Sequence, residues 1–227
     1  MTAVHRLDKD KGLDLVLHTP GGDIAATESI VAYLKSIFKG DIRAIIPQIS
    51  MSAGTMMAMS CKEIIMGEQS SLGPIDPQMG GVACQAVIDE FQKAVREVAA
   101  NPASLGLWQT IISKYHPTFL TACENAINWS GELAEQWLQE ANPNIDVQKV
   151  KDVFLNHKNS YSHSRHLSKQ DCKATGLNIV DLEANPELQD AVLSLHHCYM
   201  ILFDKFPISK IVENHIGGRY IQNYAIR

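Results

Sequence analysis

The chain has 227 residues, 45% of them hydrophobic, with 25 acidic against 20 basic side chains and a formal net charge of −5. That length suits one large α/β domain, or such a domain with a helical extension, around a core of ordinary size. The acidic balance leaves no basic footprint for nucleic acid. Cys61, Cys84, Cys123, Cys172 and Cys198 are odd in number, widely spaced and form no C-x-x-C pair. They read as free thiols in a reducing compartment, not as a zinc ribbon or a disulfide framework. Residues 1–8 lack an apolar h-region and no stretch approaches ~18 consecutive apolar residues, so neither a signal peptide nor a membrane-inserted helix is expected. The expectation is a soluble cytoplasmic protein.

In chain order, Leu13-Asp14-Leu15-Val16-Leu17-His18 reads as a strand that ends in Thr19-Pro20-Gly21-Gly22. Ile24, Ile30, Val31, Leu34, Ile37 and Phe38 approximate a 3.6-residue period and predict a helix over 24–38, stopped by Gly40-Asp41. A buried strand over 43–47 delivers Met51-Ser52-Ala53-Gly54-Thr55. A short Met-rich helix over 53–61 and a third strand over 63–67 follow. Two consecutive strand–helix–strand units imply parallel neighbours and right-handed crossovers.

Leu72-Gly73-Pro74-Ile75-Asp76-Pro77 is a rigid turn, because both prolines fix φ. Beyond it the pattern turns mainly helical. Cys84, Val87, Ile88, Phe91, Val95 and Val98 form one stripe; Leu107, Trp108, Ile111, Ile112 and Tyr115 form another. Helices are predicted over 119–127, 133–138 and 147–155, a polar His-rich stretch over 156–166, a capped helix over 168–175, a strand over 176–180 and a last helix over 186–203. The tail beyond Pro207 shows no clear role.

Two turns carry the chemistry. The Gly21-Gly22 turn relieves backbone restrictions between strand and helix, and its N–H groups also suit an anion at the positive end of the following helix. Neither G-x-G-x-x-G nor G-x-x-x-x-G-K-[ST] occurs, so a nucleotide site has no support. Ser52 is either a helix N-cap or a nucleophile. The small residues Ala53 and Gly54 after it would let a substrate carbonyl approach, with the Ala53 N–H aimed like the hydroxyl. G-x-S-x-G is absent, which sets the turn apart from the α/β-hydrolase elbow.

Leu17-His18-Thr19-Pro20-Gly21-Gly22, Met51-Ser52-Ala53-Gly54-Thr55 and Leu72-Gly73-Pro74-Ile75-Asp76-Pro77-Gln78 together resemble the serine dehydrogenase proteinase family. That family belongs with the signal peptide peptidase A and Clp protease proteolytic subunit relatives of the crotonase-like fold. The stretch from Ser168 to Leu177 resembles the late helix–Gly-Leu–strand element of the same group. The resemblance covers roughly residues 4–180 and implies a serine peptidase with Ser52 as nucleophile. It also implies an oxyanion hole built at Gly21, Gly22 and Ala53, a peptide or protein substrate, and a homo-oligomer. It requires no metal or organic cofactor. Relatives carry additional chain, including at least one more strand, ahead of the position of Leu13, and a missing strand would open a sheet edge.

The base is less determined. Signal peptide peptidase A relatives use lysine, and Clp-type subunits use His and Asp. A lysine base needs apolar surroundings that favour its neutral form. Lys114 falls on the apolar side of its predicted helix and is favoured over Lys93, which lies off its stripe. Residues 70–83 contain no histidine, where the Clp pattern has one. His157, His163 and His166 read as a polar loop, and Asp76 as a turn former at the site rim. The reading is an α/β, crotonase-like peptidase domain over residues 1–182 with a helical extension over 183–227, working through a Ser52–Lys114 dyad. An inactive interaction module and an acyl-CoA-type crotonase enzyme are the alternatives.

Overall fold

The computed structural model describes residues 2–160 and 162–224. Four parallel strands form the main sheet: β1 (Leu13–Val16), β2 (Ile42–Ile46), a later strand at Glu63–Met66 and a last one at Ile179–Asp181, in that spatial order. Alternation along the strands sorts side chains into two layers. Ala44, Ile46, Ile64 and Met66 join the large core on one face; Ile45, Ile65 and Val180 join a smaller cluster on the other. The chain is thus mixed α/β with a parallel sheet and helices on both faces, as the two strand–helix–strand units imply.

α1 (Ile24–Phe38) has the predicted bounds. Thr27, Val31, Leu34 and Phe38 supply its buried stripe, at helical spacing. Asp23 caps its first turn, accepting from the Ala26 N–H at 2.8 Å. After β2 comes the two-residue strand β3 (Ile49–Ser50), then α2 (Ala53–Met59) and β4 (Glu63–Met66). α2 is buried along nearly its whole length, which its run of Ala, Gly and Met permits.

β5 (Ser71–Leu72) pairs in parallel with β3. A short hairpin of β6 (Gln78–Met79) and β7 (Val82–Ala83) leads into α3 (Cys84–Ala100), α4 (Leu105–Ile112) and α5 (Phe119–Ala141). Cys84, Val87 and Cys123 centre a satellite core between α3 and α5. The predicted stripe of α3 is corrected at its end: Ala94 is buried, whereas Val95 is 72% exposed. The two helices expected over 119–127 and 133–138 are one, because Gly131 sits against Leu155 instead of breaking the helix. α6 (Val147–Phe154) then packs its Val150 and Phe154 into the main core.

A short α7 (His157–Ser160) precedes β8 (Leu167–Ser168), which pairs antiparallel with β5. α8 (Lys169–Ala174) opens on a capping box between Ser168 and Asp171, and β9 (Ile179–Asp181) closes the main sheet. Lys169 is 3% exposed in its side chain and meets Glu68, Asp181 and Glu183 at 2.6, 2.9 and 3.0 Å. α9 (Pro186–Lys205) lays Leu188 and Val192 on the smaller cluster. The tail, which showed no role in the sequence, is a hairpin of β10 (Ile208–Glu213) and β11 (Arg219–Asn223). No described helix is long and apolar enough to cross a membrane.

α9 is held against the end of β1 by two histidines: His196 Nε2 lies 3.2 Å from His18 Nδ1, with ring centroids 4.8 Å apart. Burial pushes both imidazoles below the ordinary histidine value, and for His196 the neighbouring His18 and His197 add to it. A base with a depressed folded pKa binds fewer protons folded than unfolded. Its contribution is therefore complete above the unfolded value of about 6.5 and is lost as pH falls from there through the folded values. The thermal midpoint is expected to drop between about pH 7.5 and about pH 5.5, and His196→Leu to reduce that drop. Differential scanning calorimetry across that range checks it.

Candidate active site

The site is assembled by a sheet only two residues deep. The Thr19 N–H donates to Ile49 O at 3.1 Å, and the Met51 N–H donates to Thr19 O at 3.0 Å, so Thr19 bridges in parallel to Ser50. Ser50 pairs with Leu72, and Leu72 with Leu167. Thr19, β3, β5 and β8 thus lie side by side. The parallel members leave this sheet at one end, and antiparallel β8 enters it from that same end. The residues following Thr19, Ser50 and Leu72 and those preceding Leu167 gather there.

Thr55 locks this end. Its hydroxyl lies 2.6 Å from Ser50 O and 2.9 Å from Gly73 O, and it accepts from the Gly73 N–H at 3.0 Å. Gly54 must lack a side chain, since a Cβ there would meet Thr19 Cγ2 at 2.4 Å and Ser50 Oγ at 2.7 Å.

Ser52 stands at the N-cap position of α2, yet its side chain caps nothing. Its backbone takes φ 52° and ψ −120°, a conformation that costs a non-glycine residue of order 1–3 kcal/mol. The capping reading of Ser52 therefore does not hold for the hydroxyl, which makes no hydrogen bond among the described residues. Strand, strained serine, helix is the arrangement that presents a hydroxyl at the tip of a turn.

Gly21 lies directly against it. At φ +115°, a Cβ on Gly21 would stand 2.8 Å from Ser52 Cβ and 3.4 Å from Ser52 Oγ. The Gly21 N–H is used, donating to Thr19 Oγ1 at 3.1 Å. The Gly22 N–H and the Ala53 N–H donate to no described group, and Gly22 is exposed whereas Ala53 is buried. One expectation changes: the Asp23 carboxylate already caps α1. The dipole of α1 is met from within, and what the turn offers is the Gly22 N–H itself.

Asp76 is the site's unforeseen member. It is 2% exposed, and its carboxylate holds two imidazoles: His163 Nδ1 at 2.8 Å from Oδ1, and His157 Nδ1 at 3.0 Å from Oδ2. Gln78 Nε2 donates to Oδ2 at 3.1 Å. The β5–β8 register, continued past Leu72 and back from Leu167, runs Asp76 alongside His163. A carboxylate acceptor at Nδ1 fixes the tautomer of a neutral imidazole and leaves its Nε2 lone pair outward; His163 Nε2 has no partner among the described residues. The His-rich stretch is thus not merely a polar loop. Pairing of β5 with β8 was the signal that would have joined it to Asp76.

The lysines lie elsewhere. α4 ends at Ile112, so Lys114 is not on the apolar side of a helix; it is exposed in the following turn. Lys93 is exposed as expected, 3.7 Å from Glu97 and above the Trp108 ring. The described hydrogen bonds and ion pairs link neither lysine to the Ser52 turn. Cys84, beside Cys123 and near Asp76, has its thiol pushed up to about 12, chiefly by burial, so it is not a competing nucleophile.

Residues 1–112 match the family described as ClpP-like SDH-type serine proteinase. The uncharacterized protein MJ0137 of Methanocaldococcus jannaschii is 28% identical over 179 residues, covering 79% of this chain and 57% of that protein. The uncharacterized protein MJ1495 of the same organism is 33% identical over 99 residues, covering 44% of this chain and 34% of that protein. The chain therefore spans less than two thirds of the length of either relative. No solved structure matches it. The match over residues 1–112, just under half of the chain, takes in the Gly21-Gly22 turn, Ser52 and Asp76, and over that stretch the chain is similar to the ClpP-like SDH-type serine proteinase family.

Proposed function

We propose that this chain is a serine peptidase of crotonase-like architecture. Ser52 Oγ attacks a peptide carbonyl, and the N–H groups of Gly22 and Ala53 hold the resulting oxyanion. The observation that carries the reading is the strained, uncapped Ser52 in contact with Gly21, beside two N–H groups without partners among the described residues. Such donors, fixed in advance at ~3 Å from the developing charge, supply the largest single share of catalysis in acyl transfer. The acyl-enzyme is then hydrolysed by water. An acyl-CoA enzyme would use the same donors without a nucleophile, and backbone strain spent on presenting a hydroxyl favours the peptidase over it.

The base we favour is His163, oriented by Asp76. Its carboxylate-bound Nδ1 and unengaged Nε2 match what a serine's base requires, and β5 and β8, which lead to Asp76 and follow His163, lie beside β3, which leads to Ser52. Lys114, favoured on the sequence, lies in solvent without the apolar surroundings that role asks for. Residues 1–182 would form the catalytic domain, since both sheets of the site are complete by Asp181, and residues 183–227 an added C-terminal part. Five unpaired cysteines fit a reducing cytoplasm.

Three outcomes are expected. Ser52→Ala abolishes peptide hydrolysis and labelling by a fluorophosphonate probe while leaving the circular dichroism spectrum unchanged; an equally active variant would remove Ser52 from the mechanism. His163→Gln lowers kcat by ~10²–10⁴, the usual range for losing a general base, whereas Lys114→Ala changes it little. A larger loss in Lys114→Ala would exchange the two roles. Gly21→Ala loses most activity even though its hydroxyl nucleophile is intact, because the added methyl must displace the Ser52 side chain or the Met51 carbonyl. Steady-state kinetics on a casein or quenched-peptide substrate, paired with thermal midpoints, separates that loss from unfolding.

A further inference from the structure

Large apolar side chains that stay exposed are concentrated between Leu195 and Tyr224, among them Phe206 and Tyr220 at 53% each and Ile221 at 43%. The hairpin of β10 and β11 forms a sheet of its own, two strands wide, and every residue of β11 is exposed. A two-stranded hairpin is marginal in water, while a wider sheet with an apolar row stands on its own. Both observations ask for a partner.

The hydrogen-bond register says which edge is open. The Asn214 N–H donates to Gly218 O at 2.9 Å, so 214 and 218 form a hydrogen-bonded pair. Alternation then makes 212/220 and 210/222 hydrogen-bonded pairs, and 211/221 and 213/219 non-hydrogen-bonded ones. The peptide groups of Arg219, Ile221 and Asn223 therefore point away from β10, toward an edge that pairs with no described strand. The other edge is blunted, since β10 carries a register shift between Ile208 and Lys210; each strand also has a neighbour, β10 in α9 and β11 in the short turn at Thr2–Val4.

We propose that β11 is the dimerisation strand of this chain, pairing antiparallel with β11 of a second copy across a two-fold axis at Ile221. The strand is self-complementary in that register. Ile221 meets the partner's Ile221 as a hydrogen-bonded pair, Arg219 meets the partner's Asn223, and Tyr220 meets the partner's Gln222. No like charges face each other. Centring the axis on Arg219 would oppose two guanidinium groups, and centring it on Tyr220 or Gln222, which the outward peptide groups of Arg219, Ile221 and Asn223 also permit, would set Ile221 opposite Arg219 or Asn223 in place of a second Ile221. Ile211, already opposite Ile221 within the hairpin, extends the contact on both sides. The result is a four-stranded sheet with an unbroken row of four isoleucines on one face. This inference stands on the hairpin alone and does not depend on the catalytic reading.

Size-exclusion chromatography with light scattering on the 227-residue chain tests it. The parent is expected to run as a dimer or a larger even-numbered assembly. Ile221→Lys sets two like-charged side chains opposite each other at the axis, on Cα atoms ~5.5 Å apart, and is expected to halve the mass, as is Ile221→Glu, with the thermal midpoint of the rest of the chain retained. Mixing the two variants in equal amounts is expected to restore the parent mass, which a merely unfolded hairpin would not do. A monomeric parent would leave the surface to a different protein and overturn the proposal. So would an assembly that Ile221→Lys leaves intact, or two folded variants that stay apart when mixed.

Discussion

A carboxylate that is 2% exposed has to be answered by donors, and Asp76 finds them 81 and 87 residues further along the chain. An ionised carboxylate buried without partners costs several kcal/mol even after the surroundings relax. The two imidazoles and the Gln78 amide remove that cost, and in doing so they tie the segment before β8 to the turn after β5. That tie completes the small sheet, and the small sheet in turn sets the Ser52 turn. The Ile75 N–H, donating to Phe154 O at 2.7 Å, fastens the same turn to the main core. The region around Asp76 is therefore where the Ser52 end of the small sheet and the hydrophobic core are joined.

This dependence explains what was legible in the sequence. β1, α1, β2, α2 and β4 follow one another with short connections, and each is declared by local apolar spacing, so the helix of residues 24–38 was read with its true ends. Ser52, Gly22 and Ala53 were conspicuous in the sequence because small residues after a buried strand have few other uses. Asp76 was not, because two flanking prolines explain a turn by themselves and its partners lie in a segment with no apolar period. The surroundings of Lys114 were misread for a simpler reason. Its position was referred to the apolar face of a helix that in fact stops two residues earlier. The hairpin at the tail did carry a signal, β-branched and aromatic residues on either side of Gly217-Gly218, but several of its apolar residues face water, so burial patterning offered no check.

The C-terminal part also reaches back to the site. His18 immediately precedes Thr19, whose peptide group makes the bridge to Ser50, and His196 on α9 sits within hydrogen-bond distance of it. α9 buries Leu188 and Val192 against the second face of the sheet, so its first half is anchored by packing and its middle by one pair of imidazoles. Its second half and the hairpin have far less to hold them. Stability therefore falls off along α9 away from the sheet, and the residues that steady the Gly21-Gly22 turn lie at the boundary between the two regimes.

Within three residues the chain accepts two local costs. Ser50 is fully buried with its hydroxyl unpartnered among the described residues, a burden of about 1–3 kcal/mol, and Ser52 holds a strained backbone of similar cost. Neither arises from poor packing, since Thr19 and Ser50 leave no room for even a Cβ at Gly54. Both are sustained because the surrounding elements are over-determined. Ile46, Leu72 and Leu167 are buried to 2% exposure or less, each worth roughly 1.5–3 kcal/mol, and three backbone ladders converge on the same spot. A loop could not hold Ser52 in that conformation; a helix start wedged between two strands can. The strained turn is thus an effect of the small sheet's rigidity, and rigidity there is what keeps the hydroxyl free of the capping bond it would otherwise make.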